Sequence, residues 1–138
     1  MIKYQDHMRN ISMCKLRGFF VDWPNPPTPA THLKLLKNSD LIVLAVDAGT
    51  GNVVGFITAV TDKVLSAYIP FLEVLPAYQG RGIGRKLTRR MMRKLQDAYM
   101  IDLMCDDTLR NFYKKFNMQP STGMIKRNYA AQSGKKIC

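Results

Sequence analysis

The chain has 138 residues, enough for one domain with a real core, and its 46% hydrophobic content argues against disorder. A formal net charge of +11 fits an acidic partner (a polyanionic small molecule, nucleic acid or a membrane surface) or a merely solvated basic face. Cys14, Cys105 and Cys138 are too few and too scattered for a disulfide framework, His7 and His32 are too isolated for a metal centre, and no apolar run can cross a bilayer. The expectation is therefore a cytoplasmic protein with no leader and no metal, its residues 1–130 forming one domain and 131–138 a flexible tail.

Ile2 to Tyr4 is a short first strand. From Asn10 to Val21 the apolar positions Ile11, Met13, Cys14, Leu16, Phe19 and Phe20 fit a helix better than a strand. The run Trp23-Pro24-Asn25-Pro26-Pro27-Thr28-Pro29 is a stiff, shaped loop, because proline lacks the N–H donor and fixes φ. Thr28 before Pro29 reads as the N-cap and first turn of a helix to about Lys37, with Leu33 and Leu36 inward. Leu41 to Val46 is a strand covered on both faces, Asp47 to Asn52 a turn, and Val53 to Thr61 the returning strand. Val64 to Val74 is the third strand of this meander; Pro70 within it removes a ladder donor, so an edge there is unpaired or bulged.

Next comes Gln79-Gly80-Arg81-Gly82-Ile83-Gly84-Arg85-Lys86, a turn between a strand and a helix. Three glycines in five residues let the backbone approach a ligand closely. The amides of the following first helical turn lack intrahelical partners and favour an anion, and phosphate is the usual guest. Arg81, Arg85 and Lys86 add full charges there. Ile83, Leu87, Met91, Leu95 and Ala98 continue at helical spacing, Tyr99 to Cys105 forms another strand, and Asp106 and Asp107 open a helix with Leu109, Phe112, Tyr113 and Phe116 as its apolar stripe. Asn117 closes that helix in the left-handed region, and Met118 to Tyr129 leaves room for a last strand or short hairpin. A P-loop is excluded because Arg85-Lys86-Leu87 follows Gly84, and a dinucleotide fingerprint because Gly80, Gly82 and Gly84 are evenly spaced.

Gln79-x-x-Gly82-x-Gly84, preceded by Leu72-Glu73-Val74 and Pro76, resembles motif A of the GNAT superfamily of N-acetyltransferases, the segment that binds the pyrophosphate of acetyl-CoA. Asn111-Phe112-Tyr113-Lys114-Lys115-Phe116-Asn117-Met118 resembles the family's Phe-Tyr-x-x-x-Gly-Phe segment, and the element order fits over residues 1 to 129. The resemblance implies an α/β (α+β) fold: a mostly antiparallel mixed sheet, splayed between strands 4 and 5, flanked by about four helices. That splay also accounts for Pro70.

It further implies that Leu72, Glu73 and Val74 lie along the pantetheine arm, and that Gln79, Gly80, Arg81, Gly82, Ile83, Gly84 and Arg85, with Lys86 nearby, hold the pyrophosphate. Tyr113 matches the family's general acid, with a plain core aromatic as the alternative. Where several members carry a catalytic Glu or His, this chain has Tyr68 and Pro70. Glu73 is the nearest carboxylate, a base through water or a group that only orients substrate or pairs with a basic residue. Asp106 replaces an Asn that contacts pantetheine in many members.

The implied activity is acetyl transfer from acetyl-CoA to a primary amine of a small molecule or peptide in a ternary complex. Phe19, Phe20, Trp23 and the proline loop would wall the acceptor. The alternative is a non-catalytic acyl-CoA-binding or sensor module of the same fold. Nucleic acid is not the expected partner, since no motif with interleaved aromatics accompanies the charge. A second copy of the chain is a candidate to complete the short C-terminal edge of the sheet, as a homodimer.

Overall fold

The β-rich runs pair into one five-stranded sheet, in a computed structural model that describes residues 1–137. Cys138, counted above among the cysteines and in the tail, lies outside the described residues. Strands β1 (Ile2–Gln5), β2 (Leu41–Asp47), β3 (Val53–Thr61), β4 (Ser66–Val74) and β5 (Met100–Asp102) lie side by side in sequence order. Every pair is antiparallel except β4–β5, which is parallel. Helix α1 (Pro29–Asn38) covers one face and α2 (Ile83–Lys94) the other. This double cover is why β2 and β3 read as continuous apolar runs.

Thr28 caps α1 as its sequence implies, its Oγ1 accepting the Thr31 N–H at 3.2 Å. Beneath α1, Phe19, Phe20, Leu36, Ile42, Leu44 and Phe56 form one core cluster; beneath α2, Val43, Val54, Ile57, Leu87 and Met91 form the other. Gly55 sets how close α2 comes. A Cβ there would stand 3.1 Å from Leu87 Cδ1 and 3.3 Å from Ile83 Cγ2, so a glycine lets the helix N-terminus settle on the sheet.

Pro70 has two structural reasons. The β3–β4 register passes from Thr58↔Phe71 to Val60↔Tyr68, so Ile69 and Pro70 together oppose Ala59 in a bulge. The β4–β5 ladder stops at Tyr68↔Asp102, so the two strands part just before the proline. A residue without a donor sits where the ladders on both sides are interrupted.

Three expectations from the sequence are corrected. The helix over Asn10 to Val21 is only a 3₁₀ turn, Met13–Lys15, within a looped segment. Its apolar pattern recorded burial rather than helicity: Ile11, Leu16, Phe19 and Phe20 are buried, while Asn10, Gly18, Phe20 and Asp22 take positive φ that no helix admits. Three α-helices result, the third being α3 (Arg110–Lys114), entered through a 3₁₀ turn at Asp107–Leu109. The strand over Tyr99 to Cys105 shortens to β5, and Asn117 at φ 62° ends the α3 segment as anticipated. No strand forms over Met118 to Tyr129 among the described residues; this stretch has no regular structure before the 3₁₀ turn at Tyr129–Ala131 and is exposed from Gln119 onward. The chain after it returns to the proline loop, where Gln132 Oε1 accepts the Asn25 N–H at 2.9 Å.

Candidate active site

The end of β4 leads through a 3₁₀ turn, Pro76–Tyr78, into the glycine turn and α2. Side chains brace this turn from behind. Tyr78 donates its hydroxyl proton to Asp47 Oδ2 at 2.7 Å, which ties the turn to β2. The same bond raises the Tyr78 phenol above its ordinary range and lowers the Asp47 carboxyl, with the Gly49 amide adding to the latter. Gln79 Nε2 donates to the Val74 carbonyl at 3.0 Å, and Arg81 donates to the Ala77 carbonyl at 3.3 Å while its guanidinium lies 5.1 Å from the Tyr78 ring centre.

What the bracing holds open is a surface of bare backbone. Gly80 and Gly82 have φ of 78° and 79°, and a Cβ built on either meets nothing within 4 Å. Gly82 is the N-cap of α2, and no side chain caps that helix, so its first-turn amides are left for an external acceptor. They border a cavity of about 450 Å³ lined by Leu72, Val74, Tyr78, Gln79, Gly80, Gly82, Ile83, Gly84, Arg85, Leu109, Phe112 and Tyr113. A diphosphate fits this donor set, with amides directing the hydrogen bonds and Arg85 supplying charge.

Of the residues expected in the cradle, Arg81 and Lys86 stand outside that lining. Lys86 instead lies 5.9 Å from the Tyr4 ring centre, beside Arg90 at 4.9 Å. Leu109 and Phe112 line the cavity although the sequence marks them only as part of an apolar stripe. The signal was the stripe itself, which a five-residue helix cannot bury in full.

Tyr113, in the same lining, is 8% exposed. Burial, reinforced by the neighbouring Cys105, pushes its phenol up to about 12. Tyr113 also lines a second cavity of about 840 Å³, between β5 and the irregular chain after α3. The two cavities have no other lining residue in common.

Glu73 points to the opposite face of β4 from Leu72 and Val74. Its carboxylate accepts the Phe20 N–H at 2.9 Å and the Val21 N–H at 3.3 Å. This latch holds Phe20 at φ 61° and so sets the aromatic wall. Phe20 packs 5.0 Å from Trp23 and 6.1 Å from Phe71, and Trp23 lies 6.4 Å from Phe71, ring centre to ring centre. Phe19 lies deeper, against His32 and Phe56. His32 was legible only as an isolated histidine; it is 1% exposed, its ring nitrogens have no hydrogen-bond partner among the described residues, and burial lowers it to about 4. Among the described residues no group of three or more His, Cys, Asp or Glu is placed to hold a metal, and no helix is long and apolar enough to cross a membrane.

The Acetyltransferase (GNAT) family profile matches residues 7–118. An uncharacterized N-acetyltransferase of Pyropia yezoensis is 28% identical over 118 residues, which is 81% of this chain and 67% of that protein. A chloroplastic GCN5-related N-acetyltransferase of Arabidopsis thaliana is 41% identical over 66 residues, covering 46% of this chain and 28% of that one. Among solved structures, a provisionally assigned acetyltransferase of Deinococcus radiodurans superposes with a TM-score of 0.94 at 38% identity, covering 99% of this chain and 94% of that one. A GNAT family acetyltransferase of Streptococcus pneumoniae superposes at 0.74 with 29% identity, covering 93% and 98%.

Proposed function

The chain belongs to the GNAT family of acetyltransferases, and from that premise we propose that it transfers the acetyl group of acetyl-CoA to a primary amine of a small molecule or peptide by direct attack. The observation that carries this reading is the uncapped glycine turn at Gly80 to Gly84, which opens on a cavity that a buried tyrosine also lines.

Acetyl-CoA, when bound, supplies a thioester carbonyl as electrophile and a thiolate as leaving group. The amides of the first turn of α2, with Gln79 to Arg85 around them, take the pyrophosphate charge, and the backbone of Leu72 and Val74 holds the pantetheine arm along the splayed edge of β4. Arg81 and Lys86 act at a distance, as part of the positive field that draws in a polyanion. The acceptor nitrogen has to reach about 3 Å from the carbonyl carbon in its neutral form. As the C–N bond forms and the C–S bond breaks, the amine loses one proton to water, while Tyr113 Oη passes one to the sulfur and regains one from water.

A phenol near 12 keeps its proton throughout the working range. It is a weaker acid than an ordinary thiol, near 8.5. Its role is therefore to donate to sulfur as charge builds there, in a pocket whose desolvation raises a thiolate's proton affinity as well. Glu73 is a positioning residue in this reading. Both of its oxygens accept backbone amides, and through them it fixes Phe20 and the wall of Trp23 and Phe71 on the acceptor side. The cytoplasm is the setting proposed, in keeping with the exposed free thiols of Cys14 and Cys105. A homodimer belongs to the same reading, since the outer edge of β5 pairs with nothing among the described residues.

The test is release of free CoA thiol from acetyl-CoA over a panel of small amines and of peptides carrying a free N-terminus or a lysine. Turnover with any of them supports transfer. Tight acetyl-CoA binding with no turnover across the panel contradicts it and favours the non-catalytic acyl-CoA-binding module.

A further inference from the structure

Donor and acceptor have to meet at the reacting atoms, so the acceptor needs space that adjoins the coenzyme cavity. The larger cavity, about 840 Å³, adjoins it at Tyr113. Its size falls within the range of small-molecule sites, about 300–1,000 Å³.

One wall of this cavity is β5 with its continuation, and the other is the irregular chain from Asn117 to Arg127. The two walls come together at Gly123, where an added Cβ would stand 3.2 Å from Met104 Sδ. On the β5 wall, Asp102 is the register partner of Tyr68, and both line the cavity. Ile101 packs into the core beneath α2, so alternation along the strand turns Asp102 to the α1 side of the sheet. Glu73 holds Phe20 and the aromatic wall on that same side.

Charge decides what fits. Asp102 is the one carboxylate in the lining, and Arg110, Lys126 and Arg127 are the cations. Arg110 is committed to Asp107 at 3.3 Å, and the other ion pair among the described residues joins Lys94 to Asp6. Asp102 on one wall and Lys126 and Arg127 on the other are therefore unpaired among the described residues. Opposite charges border one space without reaching each other. A guest with an ammonium at one end and an anion at the other satisfies both walls at once. Met104 and Met124 add an adaptable apolar surface to the lining.

We propose that this cavity takes the acceptor and that the acceptor is an amine carrying its own carboxylate or phosphate, with Asp102 holding the nitrogen and Lys126 and Arg127 the anion. The inference rests on the acetyltransferase reading. The net charge of +11 acts in the same direction, since it favours such an acceptor over a polycationic one.

The experiment compares matched amines: a dipeptide with a free C-terminal carboxylate against the same dipeptide amidated, and an aminoalkyl phosphate against the plain alkylamine. Release of CoA thiol is measured for the wild type, for Lys126→Ala/Arg127→Ala and for Asp102→Asn, with acetyl-CoA affinity measured on all three by calorimetry. The three positions are exposed, so the variants keep the fold. In the wild type, the anionic member of at least one pair should have a kcat/KM about tenfold or more above its neutral partner, the size of one charged hydrogen bond. Which pair shows the preference tells carboxylate from phosphate. The double variant should bring that ratio close to one. Asp102→Asn should raise KM about tenfold for both members alike and leave the ratio standing, while acetyl-CoA affinity stays within about twofold throughout. Equal kcat/KM within both wild-type pairs, a ratio that survives the double substitution, or an unchanged KM in Asp102→Asn overturns the proposal. So does a loss of acetyl-CoA affinity in the double variant, which would make those cations coenzyme ligands. Turnover of none of the amines counts against the acetyltransferase reading instead. Calorimetric titration with the anionic amines then decides the cavity: binding to the wild type that the double variant lacks supports it as an anionic-amine site, and no binding to the wild type overturns it.

Discussion

At the scale of single residues, the proposed reading gives Tyr113 the proton transfer and leaves Glu73 a positioning role. Tyr113→Phe keeps the ring that lines the cavity and removes the proton, so steady-state turnover should fall by about 10²-fold while acetyl-CoA affinity stays within about twofold. With the phenol held near 12, turnover should rise with pH as the acceptor amine loses its proton and show no falling limb up to pH 10; a falling limb near pH 8 would assign the acid to another group. Glu73→Gln tests the latch. A positioning role predicts a raised KM for the amine with the shape of the pH profile unchanged, whereas loss of an acidic limb from the profile would make Glu73 the base. His32 bears on stability. Its ring is lowered to about 4 by burial, against 6.5 for an ordinary histidine. Between those values the unfolded chain binds a proton that the folded one refuses. Stability is therefore full above pH 6.5 and is lost as pH falls toward 4, by on the order of 3 kcal/mol. Denaturant titrations of His32→Leu should lack that slope; an unchanged slope would place the acid sensitivity elsewhere.

At the scale of elements, the parts whose local and long-range requirements coincide were legible in the sequence. Thr28-Pro29 opens α1, Leu41 to Val46 is a doubly covered strand, and the glycine turn falls between β4 and α2, because capping, burial and turn chemistry each ask for the residues that are there. Pro70 pointed to an interruption, and the interruption is a bulge as well as a splay. Asn10 to Val21 misled because its apolar spacing is shared by a helix and by a loop that buries four side chains. What decides between them is the carboxylate of Glu73, more than fifty residues away in sequence, holding the Phe20 and Val21 amides. The second cavity was invisible for a related reason: it exists only where a segment fails to pair. Gly82→Val isolates the glycine turn. No atom stands near the added Cβ, so the cost to the free protein is the left-handed backbone alone, about 1–2 kcal/mol. The side chain would project into the open space that the pyrophosphate is proposed to take. The expected outcome is a folded variant with a slightly lower Tm and no measurable acetyl-CoA binding; binding at wild-type affinity would move the pyrophosphate elsewhere.

At the scale of the whole molecule, two helices clamp a sheet whose first three strand pairs are antiparallel and whose last pair parts at Tyr68. Beside that parting, a bare helix N-terminus and a buried phenol line one cavity, while the aromatic wall latched by Glu73 lies across β4 on the α1 side. The net charge of +11 surrounds the arrangement with a field that favours an anionic ligand, although charge alone would serve nucleic acid equally well. On the proposed reading it is the groove that narrows the guest to a diphosphate carrying an extended arm. The central claim, that this groove receives acetyl-CoA, is tested most directly by calorimetric titration of the wild-type chain with acetyl-CoA at neutral pH. Saturable one-site binding that free CoA displaces is the predicted result; absence of heat and of displacement at millimolar acetyl-CoA would contradict it.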